Sequence, residues 1–274
     1  MEIPIKTIHL FEPIEHKLID LLKSLSTEDW SRPTLAKLWS VKDVAAHLLD
    51  TQLRTLSFSQ NYEGDRPGEI NSYQDLVDYL NRLNADWVKA MKRVSPDMLI
   101  HILECTQKPF IDHLKSLDPF APAKYSVAWA GENESHNWFD IAREYTERWH
   151  HQQQIREAVN KPGIMDRKFF YPLIQTFMMA LPYAYQNVQA EEGSTVSIQV
   201  TGESGGTWQI TRDDQTWKFF DNPVEIVTRI ELDPDTSWKL FTKALQKEEA
   251  VERVKISGDQ RLGKPIFKML SVMA

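Results

Sequence analysis

Two stretches of the chain carry side chains able to hold a metal ion. In REYTERWHHQQQIREA, Glu147 and His151 are four residues apart, so on a helix they share one face, one turn apart. Glu144 and Gln154 extend that stripe, with Tyr145, Trp149 and Ile155 to its sides. Such a pair can bind one ion from a single helix, and the same spacing also serves as a plain helix-supporting pair on a wetted face. The second stretch, DVAAHLLD, puts His47 mid-helix between Ala46 and Leu48. A histidine there is often a hydrogen-bonded core residue. Its own face, however, carries Asp43, Val44, Asp50, Thr51 and Arg54, more polar than packing requires. One histidine from one helix and a Glu–His pair from another form a His₂Glu set, the donor complement of a catalytic zinc site with an open fourth position. His150 competes for the role, three residues from Glu147 but turned about 100° from His151. Trp39, Trp129, Trp138 and Trp149 are candidate apolar walls, and Asp43 or Asp50 could orient an imidazole from behind.

The elements that must position these residues are legible in the hydropathy pattern. Leu10, Ile14, Leu18, Leu21, Leu22 and Leu25 form the stripe of a first amphipathic helix. Ser26 to Trp30 reads as a capped short turn. Ser40 is a good N-cap, with Asp43 at the third helical position completing a capping box, and opens a helix that stops before Gly64, Pro67 and Gly68. A third helix covers SYQDLVDYLNRLNADWVKAMKRV. Ser95-Pro96 opens a fourth that runs to about Leu117. The connection DPFAPAKYSVAWAGENES is long enough to be functional. A fifth helix runs from Asn137 to Asn160 and ends at Lys161-Pro162-Gly163. The apolar FFYPLIQTFMMALPYAYQNV forms one more, with Pro172 in its first turn and Pro182 kinking or shortening it. Phe169, Phe170, Phe177, Met178 and Met179 are core residues at helical spacing, or the lining of an apolar cavity.

After Gly193 the period changes. TVSIQV, TWQITR, TWKFFD and VEIVTRIEL read as short strands separated by Gly202, Gly205-Gly206, Asp213-Asp214 and Asn222-Pro223. DTSWKLFTKAL is a helix, RVKIS a strand and QRLGKPIFKMLSVM a closing helix. The fold class is therefore α+β overall, divided into a helical domain over 1–163 and a small α+β domain over 164–274.

Composition narrows the function. The single Cys105 can form neither an internal disulfide nor a thiolate cluster, so a metal must be held by His, Asp and Glu. Cys105 itself, on an apolar helix, reads as a buried packing residue. A net charge of −7 with scattered basic residues argues against nucleic acid. No apolar run is long enough for a membrane span, and the N-terminus lacks a signal-peptide pattern, which makes the cytoplasm the expected address. No heptad seam demands an oligomer, and monomer and homodimer both stay open.

LWSVKDVAAHLLD and YTERWHHQQQIREAV resemble the two signatures of the DinB-like, mycothiol-dependent maleylpyruvate isomerase superfamily. These are a tryptophan ahead of a metal-binding helical histidine, and a Glu-x-x-x-His or His-x-x-x-His pair on a later helix. The resemblance covers roughly residues 8–160, includes the AWAGENES loop, and selects His47, Glu147 and His151, leaving His150 as the neighbour. It implies a DinB-like four-helix bundle binding a divalent metal, zinc or nickel, followed by a domain resembling sterol-carrier folds. It also implies a low-molecular-weight thiol such as mycothiol or bacillithiol, and a C-terminal arginine that binds the acidic substrate; Arg212, Arg229, Arg253 and Arg261 are candidates. The expected function is a metal-dependent isomerase or thiol S-transferase acting on a small organic substrate. The alternative is a non-catalytic metal-binding stress or detoxification protein whose C-terminal module binds an apolar ligand or a partner.

Overall fold

The computed structural model describes residues 2–62, 64, 68–220 and 225–272; the expected breaks at Pro67 and Asn222-Pro223 lie outside the described residues. The chain groups into two compact units. Thr7–Ala121 with Glu147–Ile164 form one, and Pro122–Thr146 with the residues from Met165 onward form most of the other. The segment Pro122–Thr146, numbered within the expected helical domain, thus groups with the later residues.

The first unit is built from long helices. A 3₁₀ turn leads into α1 (Phe11–Lys23), followed by α2 (Val41–Ser59), α3 (Tyr73–Met91), α4 (Pro96–Ser116) and the second part of α5 (Asn137–Val159). Serines start three of them. The side chains of Ser40, Ser72 and Ser95 each accept the backbone N–H three residues on, from Asp43, Asp75 and Met98. Leu18 and Leu22 of α1, Val44 and Leu48 of α2, Leu99 and Leu103 of α4, and Ile155 and Val159 of α5 share one buried cluster. These four helices form the bundle, and α3 lies along α2, contributing Met91 to the cluster. Cys105 is a correction: it is exposed, because the buried stripe of α4 runs through Leu99, Leu103, Gln107, Phe110 and Leu114, and Cys105 points away from it.

The second unit is α+β. α6 (Arg167–Met178) begins earlier than expected because Asp166 caps it, which puts Pro172 inside the helix rather than in its first turn. Beyond Met178 the helix breaks and restarts as the short α7 (Leu181–Ala184), with Pro182 in its first positions. β1 (Thr195–Val200), β2 (Gly206–Asp213), β3 (Thr216–Phe219), β4 (Ile226–Leu232) and β5 (Lys255–Gly258) form one sheet in the order β3-β2-β1-β4-β5. β1 and β4 are parallel and the other pairs antiparallel. α8 (Pro234–Phe241) stops short of Leu245 because Lys243 takes a left-handed φ of 63° and Ala244 N–H closes onto Lys239 O at 2.8 Å. α9 (Lys247–Arg253) is a further short helix between α8 and β5 that the hydropathy pattern does not reveal. The closing helix is also shorter than expected. α10 (Gln260–Gly263) passes into a 3₁₀ turn, Lys264–Lys268, where Pro265 cannot donate the next α-helical hydrogen bond. Phe169, Phe170, Phe177 and Met178 are core residues, and Met179 is partly exposed.

Candidate metal centre

The position of His47 follows from the start of its helix. Ser40 and Asp43 form a reciprocal capping box that fixes the first turn of α2. One turn after Asp43, the His47 ring is buried, with 6% exposure. Ahead of the cap, a tight loop brings Trp39 back over the helix. The carbonyl of Trp39 accepts from both the backbone N–H of Thr34, at 3.1 Å, and the Thr34 hydroxyl, at 2.8 Å. The Trp39 indole then packs 4.9 Å from the His47 ring and 6.2 Å from that of His151. From α3, Trp87 Nε1 donates to the Ala46 carbonyl at 2.8 Å, beside His47 in the chain.

α5 supplies the pair. His151 Nε2 lies 3.3 Å from Glu147 Oε2. Its other nitrogen, Nδ1, is 2.9 Å from Gln154 Oε1. The amide oxygen only accepts, so this contact is a hydrogen bond when the proton sits on Nδ1, the tautomer that leaves the Nε2 lone pair on the Glu147 side for a metal ion. His47 and His151 meet edge to face with ring centres 4.7 Å apart. One ligand atom from each of His47, Glu147 and His151 falls within a 4.8 Å cluster, the set selected from the sequence. Gln154 lies on the Glu147–His151 stripe, and its i, i+3 spacing from His151 is the sequence signal for this contact.

This donor set fits a divalent ion. Ligands 2.0–2.1 Å from a tetrahedral centre stand about 3.3 Å from one another, the observed Glu147–His151 separation. A charged hydrogen bond between the same groups would be shorter, about 2.7–2.9 Å. His47 Nδ1 is buried without a hydrogen-bond partner, an arrangement that costs stability unless something else engages the ring. Burial is the first cause that holds the His47 pKa well below its ordinary value, and the neighbouring His151 adds to it; Glu147 opposes the shift. The ring is therefore neutral, the form that ligates.

The remaining expected residues have other roles. Asp43 Oδ2 accepts from Ser40 N–H at 3.0 Å and from its hydroxyl at 2.8 Å, and Oδ1 faces Lys92 at 3.5 Å. It serves the helix cap instead of orienting an imidazole. Asp50 faces Arg54 at 3.1 Å; burial raises its pKa and Arg54 opposes the shift. His150 packs its ring 3.9 Å from that of His151 but supplies no atom to the cluster. Trp149 is a core residue that donates to Ile164 O at 3.0 Å. Trp129 and Glu144 belong to the second unit, where Trp129 packs on Phe139 and Glu144 lies 3.7 Å from Arg143. Of the four arginines, Arg261 pairs with Asp259 at 2.7 Å, Arg253 lies 3.9 Å from Asp235, Arg229 is exposed and Arg212 is buried on β2.

The fold and site define a helical bundle with a His₂Glu cluster, joined to an α+β module. The chain belongs to the family of the mycothiol maleylpyruvate isomerase N-terminal domain, which it matches over residues 11–156, more than half its length. Among solved structures it is similar to a crystal structure of the mycothiol-dependent maleylpyruvate isomerase, with a TM-score of 0.56, 10% identity and 92% of each chain covered. A histidine-to-alanine mutant of that enzyme gives a TM-score of 0.54 at the same identity and coverage. At this identity the likeness establishes the fold. No curated protein matches the sequence. Among the described residues, no helix is long and apolar enough to cross a membrane.

Proposed function

We propose that the chain is a metal-dependent enzyme of the maleylpyruvate isomerase type, acting on a small organic substrate with a low-molecular-weight thiol or water. The observation that carries this reading is the convergence of His47, Glu147 and His151 in one largely buried cluster, with Glu147 and His151 at the spacing of two ligands of one ion. A divalent ion held there, zinc or alternatively nickel, supplies Lewis acidity that keeps a thiol or water deprotonated near neutral pH. Glu147 contributes the one negative charge of the donor set. Burial keeps His47 unprotonated, and Gln154 fixes which nitrogen of His151 faces the cluster. Trp39 covers the two imidazoles and limits water around them.

Cys105 lies outside the cluster, so on this reading the reactive sulfur arrives with a small thiol, mycothiol or bacillithiol, as in the mycothiol-dependent enzymes of similar fold. Isomerisation and thiol transfer are both within the scope of that chemistry. We also retain the domain division at 163/164, the sterol-carrier-like character of the second domain and a cytoplasmic setting as parts of this proposal.

The test has two stages. Purified protein is expected to hold one equivalent of metal, which His47→Ala, Glu147→Ala and His151→Ala each remove. The metal-loaded protein is then screened with mycothiol, bacillithiol and glutathione against electrophilic cis-alkene diacids. Turnover that requires both metal and thiol supports the reading; metal retention by all three variants refutes it.

A further inference from the structure

The centre of the helical unit holds a polar network that the proposed chemistry does not use. Glu15 of α1 and Arg148 of α5 are both nearly inaccessible to solvent, with Arg148 Nε 3.5 Å from Glu15 Oε1. Gln52 of α2 donates to Glu15 Oε2 at 3.0 Å, and Thr106 of α4 donates to Gln52 Oε1 at 2.7 Å. The guanidinium lies over the Phe110 ring, 4.7 Å from its centre, and reaches α2 with both terminal nitrogens. Nη1 donates to Leu48 O at 2.7 Å and Nη2 to Thr51 Oγ1 at 2.5 Å. Thr51 Oγ1 in turn donates to Leu48 O at 3.0 Å, closing a triangle on one turn of α2.

A buried ion pair seldom stabilises a core more than well-packed apolar residues of the same volume, and its best-attested benefit is to fix register. The register at issue here is specific. Arg148 follows Glu147 directly and precedes His151 by three residues, and its acceptor Leu48 follows His47 directly. A planar fork with two acceptors on one turn resists both sliding and rotation of α5 against α2. Other ties from α5 run to α1, including Gln152 to Ile14 O at 3.0 Å and Arg156 to Lys17 O at 3.1 Å. The Arg148 fork ties α5 to α2 directly beside His47. A slip of one helical turn, 5.4 Å, exceeds the 4.8 Å that encloses all three ligand atoms.

We propose that Arg148 is the positioning residue of the metal centre, a clamp that holds α5 on α2 in the register that brings Glu147 and His151 to His47. The inference rests on the metal-centre reading above. Its test uses the full chain, stripped with chelator and titrated with Co(II), whose visible bands and affinity report ligand geometry. Thr51→Val deletes one arm of the fork and leaves the Glu15–Arg148 pair intact. Arg148→Lys keeps the charge and loses the planar fork. Leu103→Ala, in the buried cluster of α4, is the control for general destabilisation.

Wild type is expected to bind one Co(II) with tetrahedral bands. Thr51→Val and Arg148→Lys are expected to weaken binding about tenfold or more, the loss typical of removing an outer support of a metal site, and to shift the bands. Leu103→Ala should unfold at lower temperature yet keep the wild-type affinity and spectrum. Wild-type affinity and bands in Thr51→Val overturn the clamp, whether or not Arg148→Lys folds, and so does a loss in Leu103→Ala equal to that in the fork variants. Wild type that takes up no Co(II) removes the metal-centre reading and this inference with it, a result distinct from binding that the fork variants leave unchanged.

Discussion

Gln154→Leu isolates the contribution of an outer hydrogen bond to the metal centre. Gln154 is buried, and its Oε1 lies 2.9 Å from His151 Nδ1, so leucine fills similar volume while removing the acceptor. Without it, His151 keeps a buried N–H with nothing to bond, and both its tautomer and its ring angle become free to change. Removing such a support typically weakens metal binding by about 10- to 100-fold. At about 1.4 kcal/mol per tenfold this corresponds to roughly 1.4–2.8 kcal/mol, similar to the roughly 1–3 kcal/mol cost of an unsatisfied buried donor. Competitive Zn(II) titration against a chromophoric chelator measures the change, and chemical denaturation of the metal-free protein separates it from a loss of fold. Gln154→Glu, which keeps an acceptor, is expected to bind at least as tightly as wild type. A Gln154→Leu affinity within twofold of wild type would refute the argument that this contact sets the ligand orientation of His151.

Three further outcomes follow from the same geometry. Because burial holds the His47 pKa well below its ordinary value of 6.5, the unfolded chain binds more protons than the native one as the pH falls below that value. Metal-free protein should then lose up to about 1.4 kcal/mol per pH unit on acidification below 6.5, and His47→Gln should flatten this part of the urea-unfolding profile. Ser40→Ala removes the cap of α2 and should cost about 1 kcal/mol, read as a drop of a few degrees in melting temperature; an unchanged midpoint would count against the capping box as the anchor of the His47 helix. Cys105→Ser should leave metal content and thiol-dependent turnover unchanged, since the exposed thiol lies outside the donor cluster, and a loss of turnover would assign it a role that the structure does not.

What could be read from the sequence was what depends on local spacing. Ser40 and Asp43 are three residues apart and Glu147 and His151 four, so one helical period relates each pair. The convergence of His47 with that pair came from the family resemblance and from polarity on a helix face, and the structure gathers the same three residues. The failures have non-local or competing causes. Asp166 caps α6 ahead of the apolar run and so places Pro172 inside the helix, and Pro265, with no N–H, ends the closing helix early. α9 carries no clear apolar stripe, and its sequence signal is charge alone, Glu248 and Glu249 in its first turn and Arg253 in its last. The burial of Arg148 and the exposure of Cys105 depend on which helices pack together, which a single stripe does not reveal.

The central claim is that one divalent ion is held by His47, Glu147 and His151. Anomalous scattering from crystals of the metal-loaded protein, collected on both sides of the metal absorption edge, tests it most directly. The account predicts one strong edge-dependent peak bounded by these three side chains, about 2.0–2.2 Å from each ligand atom. No peak there, or a peak held by other residues, would contradict it.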